Sequence, residues 1–210
     1  RNSGISAATS HGIDAASGDY IAFLDHDDIL SPSALATVAA EITSSDADIL
    51  YTDESIFGEI PPNVDKGYFG QPHLKPDYSP ELLLSHNYIT HLLVVRRTLL
   101  DAVGGFRSEF DGAQDYDLLL RLTELTDNIV HIPKVLYHWR QSTQSTAGDS
   151  DVKPQAHHHG KRALEQTVVR RKIHGKVLTA NRPHYFRLQR EIIGDPLVSI
   201  IIPFYDQPKL

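Results

Sequence analysis

Two acids spaced one residue apart, Asp25 and Asp27, stand with His26 and Asp28 directly after the apolar run Tyr20-Ile21-Ala22-Phe23-Leu24. Such a run reads as a buried strand. Carboxylates at its carboxyl end fall in the crevice where open α/β sheets bind ligands. An Asp-x-Asp pair can hold a hard cation such as Mg²⁺ or Mn²⁺, which bridges to phosphate oxygens. The alternative is a strand-end turn in which Asp27 or Asp28 caps a helix beginning near residue 31. A calcium loop of the EF-hand type is excluded. With Asp25 at its first position, Leu30 and Ala36 stand where that loop needs Gly and Glu.

Three further groups carry chemistry. Gln114-Asp115-Tyr116-Asp117 enters a helix. An acid in a first helical turn is stabilised as its anion by the helix dipole, which suits a carboxylate that accepts a proton and equally suits plain capping. Tyr137-His138-Trp139-Arg140 ends a strand. There His138 can ligate a metal and Arg140 can neutralise phosphate, or the stretch is structural around the only tryptophan. Asp53-Glu54 follows another short strand and is either near the cation or a solvated turn. His157-His158-His159 sits at a helix start, and consecutive helical residues do not face one site.

The elements that must position these groups alternate. Helices are expected over 3–17, from Ser31-Pro32 to about Ile42, from Ser79-Pro80, over 97–103, 114–125 and 154–173. Strands are expected over 20–25, 48–52, 90–96, 129–132, 135–140 and 184–190. Residues 55–76 read as a loop, and Gly104-Gly105-Phe106 as a turn. Alternation of this kind specifies an α/β sheet. With 210 residues, 40% of them hydrophobic and 22% charged, the chain suffices for one packed domain with an appendage. The net charge of −7 gives no support for a nucleic-acid partner. No apolar stretch approaches the ~18 residues of a membrane span. There is no cysteine, so thiolate metal sites and disulfides are excluded, and a cytoplasmic setting is compatible. Methionine is absent and Arg1 comes first, which suggests a piece of a longer protein.

Taken in order, the segments resemble glycosyltransferase family 2, of GT-A fold. The likeness covers roughly 1–147. It rests on RNSGISAA at 1–8, GDYIAFLDHDD at 18–28, GGFRSEFDGAQDYDLLLRL at 104–122 and HIPKVLYHWRQSTQSTA at 131–147. YTDES at 51–55 and KPDYSPELLLSHNYITHLLVVRR at 75–97 point to large bacterial members that build rhamnose-rich or O-antigen-like polysaccharides. The resemblance implies a Rossmann-like mixed sheet flanked by helices. It implies a GT-A domain over 1–147 without its N-terminal nucleotide-binding part, and a helical linker over 148–195. PLVSIIIPFYDQ at 196–207 resembles the first strand of a second such domain, so 196–210 would open it. The family pattern often reads Glu-Asp where this chain has Gln114-Asp115, so Asp115 is carried over.

The activity so implied is metal-dependent, inverting transfer of a sugar from a nucleotide-sugar donor to a saccharide acceptor, at the cytoplasm or the inner membrane face. Asp27 and Asp25 would hold Mg²⁺ or Mn²⁺, with Asp25 also near the donor. His138 would be an extra ligand, Arg140 a diphosphate contact and Asp115 the base. Two other classes stay open: a phosphohydrolase of the haloacid dehalogenase kind using Asp25 as nucleophile, and a non-catalytic carbohydrate-binding module. In the fold so implied the strand carrying Asp25 would lie beside the absent first strand. A bare edge there gives one more expectation, that Val198–Ile202 pairs in parallel with Ile21–Leu24, within the molecule or from a neighbour.

Overall fold

A computed structural model of the chain describes residues 4–57, 70, 72–140, 154–203 and 205. Its centre is a six-stranded mixed sheet. The strands are β1 (Tyr20–Phe23), β2 (Ile29–Leu30), β3 (Ile49–Phe57), β4 (Pro72–His73), β5 (Leu93–Arg96) and β6 (Ile129–Arg140). The order is β1-β5-β3-β6-β2, with β4 pairing the far end of β3. β5 runs antiparallel to both β1 and β3, whereas β3 and β6 are parallel. The chains of β1, β3 and β6 therefore run the same way, and their carboxyl ends gather on one side. The start of antiparallel β5 lies there too, because Phe23 and Tyr51 both pair with Leu93.

Strand alternation divides the core. Ile49, Tyr51, Leu93 and Val95 pack with Leu118, Leu119, Leu120 and Leu122. Those leucines belong to α5 (Gln114–Leu122), on the face shared with α3 (Pro80–Leu83), α4 (Arg97–Val103) and α6 (Pro154–Arg170). Leu50, Leu92, Val94 and Tyr137 point the other way, against Ala34 and Val38 of α2 (Ala34–Ser45). α1 (Ile5–Ala15) precedes β1. It is tied down by Ser6, whose hydroxyl donates to the Asp111 carboxylate.

Several ends follow directly from residue chemistry. Ser79 caps α3, its hydroxyl accepting from Leu82 N at 3.3 Å, with Pro80 at the first helical position. Gly104, at φ 75°, stops α4. Ser79→Ala should cost about 1 kcal/mol. In a chain of this length that is a fall of roughly 2–4 °C in the melting temperature, and an unchanged melt would remove the cap from the account.

The structure departs from the sequence expectations in several places. The two strands expected over 129–140 are one. Its pairing with β3 skips from Thr52↔Ile132 to Asp53↔Val135, where Pro133 has no N–H to offer the ladder. α5 ends at Leu122, leaving Leu125 exposed. Beyond α6, where a helical linker was expected, β7 (Gly175–Thr179) and β8 (Phe186–Arg190) form an antiparallel hairpin. Ala163, Leu164, Val168, Val177 and Phe186 share the core of the sheet domain, so this region is packed onto the sheet. The expected pairing of Val198–Ile202 with β1 is not made within the chain. Among the described residues β1 pairs only with β5, and Val198, Ile200, Ile201 and Ile202 are 74–90% exposed. The strand expected over 48–52 runs on to Phe57, so Asp53 and Glu54 are buried within β3 and not in a turn. The expected loop over 55–76 gives 55–57 to β3 and 72–73 to β4. Most of its middle, and the expected end of the domain at 141–147, lie outside the described residues.

Candidate active site

The carboxyl ends of β1 and β6 and the start of β5 bring three ligand-bearing side chains together. Ligand atoms of Asp25, Asp28 and His91 all lie within 4.8 Å of one another. Tyr137 organizes the acid loop. Its hydroxyl donates to the Asp28 carboxylate and accepts from Asp25 N at 3.2 Å. His91 stacks on the Tyr137 ring at 4.7 Å and 14°, and its Nε2 is 3.7 Å from Asp25 Oδ2. Burial pushes the Asp25 carboxyl up, and the charges of Asp28, Asp115 and Asp27 add to this while His91 opposes it.

Behind His91 stands Glu54, buried on β3. His91 Nδ1 lies 3.4 Å from Glu54 Oε2, in charge contact but without hydrogen-bond geometry, and among the described residues that buried nitrogen has no hydrogen-bond partner. Glu54 also accepts from Lys75 Nζ at 3.2 Å, Thr90 Oγ1 at 3.0 Å and His91 N at 3.3 Å, and contacts His73 Nδ1 at 3.1 Å. Burial alone would raise its carboxyl. The His73 and His91 rings and the Lys75 ammonium outweigh that and hold it well below the usual carboxylate range. For His91 burial works against the charged ring, but Glu54 and then Asp25 and Asp115 raise it above the ordinary imidazole range.

A cavity of about 670 Å³ opens over this cluster. Asp25, Asp27, His91, Asp115, Trp139 and Arg140 are among the residues lining it. Asp115 is in the first turn of α5 and is oriented by Asn87, whose amide donates to Oδ2 at 2.9 Å. α5 itself is anchored by Asp117, fully buried and bonded to both Arg107 and Arg121. The donor set suits a hard divalent cation: two carboxylates and an imidazole, the ring backed by a third carboxylate, that of Glu54.

Of the residues singled out in the sequence, Asp25, Asp27, Asp115 and Arg140 face one cavity. Arg140 also braces the acid loop, its Nε donating to Asp27 O at 2.7 Å and its backbone N to Asp28 Oδ1 at 2.7 Å. His138 does not join the cation cluster. It follows Tyr137 on β6 and so takes the opposite face, where its Nδ1 is 2.7 Å from Ser55 Oγ. Asp27 lines the cavity without entering the three-residue cluster. Of the histidine triplet, His157 stacks on Phe186 and accepts from His184 N, while His159 contacts Asp111 O. His91 was not singled out. Its signal was positional, since only the antiparallel placement of β5 beside β1 brings residue 91 next to residue 25.

Comparison with known proteins now fits this geometry. Residues 1–104 match the sequence profile described as "Glycosyl transferase family 2". The chain is 42% identical over 204 residues, 97% of its length, to the O-antigen biosynthesis protein RfbC of Myxococcus xanthus. The chain belongs to glycosyltransferase family 2. It is also 44% identical over 211 residues to the uncharacterized protein y4gI of Sinorhizobium fredii. It spans 16% and 22% of the lengths of these two relatives. Among solved structures, S. aureus TarS 1-349 in complex with UDP-GlcNAc superposes with a TM-score of 0.57 at 16% identity, covering 79% of this chain and 47% of that one. That likeness is one of fold. The phosphohydrolase reading loses its ground here. Besides the family match, no lysine among the described residues lines the cavity, and Lys75 is committed to Glu54 and the Ile89 carbonyl. No helix among the described residues is long and apolar enough to cross a membrane.

Proposed function

We propose that this chain carries the reaction centre of an inverting glycosyltransferase, which moves a sugar from a nucleotide-sugar donor to a saccharide acceptor in the synthesis of a cell-surface polysaccharide. The observation that carries the reading is that Asp25, Asp27, His91 and Asp115 line one cavity. RfbC, named for O-antigen biosynthesis, and the UDP-GlcNAc complex of TarS support the substrate class. Asp25, Asp28 and His91 would hold Mg²⁺ or Mn²⁺, and Asp27 offers a further carboxylate from the same loop. A divalent cation held there supplies the positive charge that a departing nucleoside diphosphate requires. Arg140, at the cavity edge, adds a second positive group for the phosphates. Asp115 takes the proton of the acceptor hydroxyl. The hydroxyl oxygen bonds to the anomeric carbon from the face opposite the diphosphate as the carbon–oxygen bond to phosphate breaks, and the configuration inverts in one displacement. The reaction belongs on the cytoplasmic side, where this reading places the nucleotide sugar.

A donor screen on the intact protein tests this reading. Turnover of one nucleotide sugar, abolished by EDTA and restored by Mn²⁺, is the expected result. A second readout needs no turnover. Trp139 is the only tryptophan, and its ring lies 5.6 Å from that of His91. Mn²⁺ should therefore quench the tryptophan emission. His91→Ala should weaken that titration by at least about tenfold, the lower end of what disturbing a ligand's support costs. His138→Ala should leave the Mn²⁺ affinity unchanged. The opposite pattern would return His138 to the metal and remove His91.

A further inference from the structure

The cavity has two ends, and the residues that would hold a cation stand at only one. Asp25, Asp27, His91, Trp139 and Arg140 make that end. The other end is walled by His86, His184, Tyr185 and Phe186, with Ala156 and Gly160 of α6 as its floor. Asp115 lines the same cavity and reaches toward the second end: its Oδ2 accepts from Asn87, next to His86, at 2.9 Å, and its neighbour Tyr116 stacks on Phe186. A donor must put its diphosphate at the cation. The far end, across Asp115, is then left for the molecule whose hydroxyl Asp115 deprotonates.

That far wall comes largely from the segment beyond residue 147, outside the family match. Its backbone is pinned at two points. Phe186 N donates to Ser85 O at 2.7 Å, and His184 N donates to His157 Nδ1 at 3.0 Å. Phe186 stacks against Tyr116, one residue from Asp115, at an interplanar angle of 8°. α6 comes so near the α5 entry turn that a Cβ on Gly112, at φ 95°, would meet the Ala156 Cβ at 3.1 Å. Tyr185 is held in a stack, with the His86 ring 4.3 Å away at 18° and the Arg182 guanidinium 4.6 Å from its centroid. A clamped aromatic pair with polar edges, beside the Asn87 amide, has the mixed character of a pyranose, whose ring carbons are apolar and whose rim is hydroxylated.

We propose that the corner of the β7–β8 hairpin, through Tyr185 and its stacking partner His86, is the seat of the accepting saccharide, and that a pyranoside ring rests against this pair with one hydroxyl directed at Asp115. The inference rests on the transferase reading for the role of the sugar, but the binding itself can be measured without turnover.

Ligand-observed saturation-transfer NMR on the intact protein with Mg²⁺ provides the test. The probes are methyl α-L-rhamnopyranoside, methyl N-acetyl-β-D-glucosaminide, UDP and dTDP. Wild type should transfer saturation to at least one pyranoside. Tyr185→Ala and His86→Ala should each raise its dissociation constant by about tenfold, the scale of one lost aromatic contact. Tyr185→Phe should keep it, and nucleotide binding should be unchanged in all three. If Tyr185→Ala fails to melt cooperatively, His86→Ala decides. Unaltered pyranoside affinity in a folded variant would overturn the seat, as would nucleotide binding by wild type with no pyranoside binding. Either result would leave the transferase reading standing. Pyranoside binding lost with Tyr185→Ala, in a protein that binds neither nucleotide, would keep the sugar site and remove its role as the acceptor seat for a UDP or dTDP donor.

Discussion

Asp115→Asn should lower the rate of sugar transfer by about 10²–10⁴-fold, the usual worth of a positioned general base. Nucleotide binding and the thermal melt should stay as in wild type. The reasoning is local. The substituted amide has the same shape as the carboxylate and still offers a carbonyl oxygen to the Asn87 amide, which contacts Asp115 at 2.9 Å. What the substitution removes is the anion that can accept a proton, and the packing of α5 rests elsewhere, on Asp117 with Arg107 and Arg121. The loss should therefore appear in kcat for transfer. Transfer at the wild-type rate would remove Asp115 as the base.

Much of this was legible in the residues, for identifiable reasons. The helix 97–103 was readable to the residue because an arginine pair follows a short apolar strand and a glycine pair ends it. Ser79 was readable as a cap because Pro80 follows it. The acid loop was readable because Asp25 lies directly after an apolar run. His91 was not, since periodicity does not say whether β5 runs parallel or antiparallel to β1, and the neighbour of Asp25 depends on that choice. His138 was misplaced for a related reason. Alternation along β6 puts Tyr137 and Trp139 on the cavity side, and no sequence signal marks which parity faces the cation. The 148–195 region looked like a linker because β7 and β8 are short and largely exposed. Its anchoring residues, Ala163, Leu164, Val177 and Phe186, are buried only by a surface that the sequence does not place beside them.

Glu54→Ala should be the most costly single change in the sheet. Glu54 is 2% exposed as a residue, and the side chain of its partner Lys75 is 0% exposed. Removing one member of a buried pair leaves the other charge uncompensated, at about 3–5 kcal/mol. At roughly 2–4 °C per kcal/mol in a chain of this size, the melt should fall by roughly 6–20 °C. Lys75 keeps the carbonyls of Ile89 and His91, which favours the lower part of that range. The double variant Glu54→Met with Lys75→Met should recover most of the stability, because a buried pair can often be exchanged for apolar side chains of similar volume. It should not recover the metal. His91 would lose the carboxylate 3.4 Å behind its Nδ1, and loss of such an outer partner weakens cation binding by about 10–100-fold. Mn²⁺ quenching of Trp139 in the refolded double variant therefore separates the two roles. Wild-type affinity there would show that Glu54 holds up the sheet alone, and that the imidazole needs no orienting carboxylate to face the acid loop.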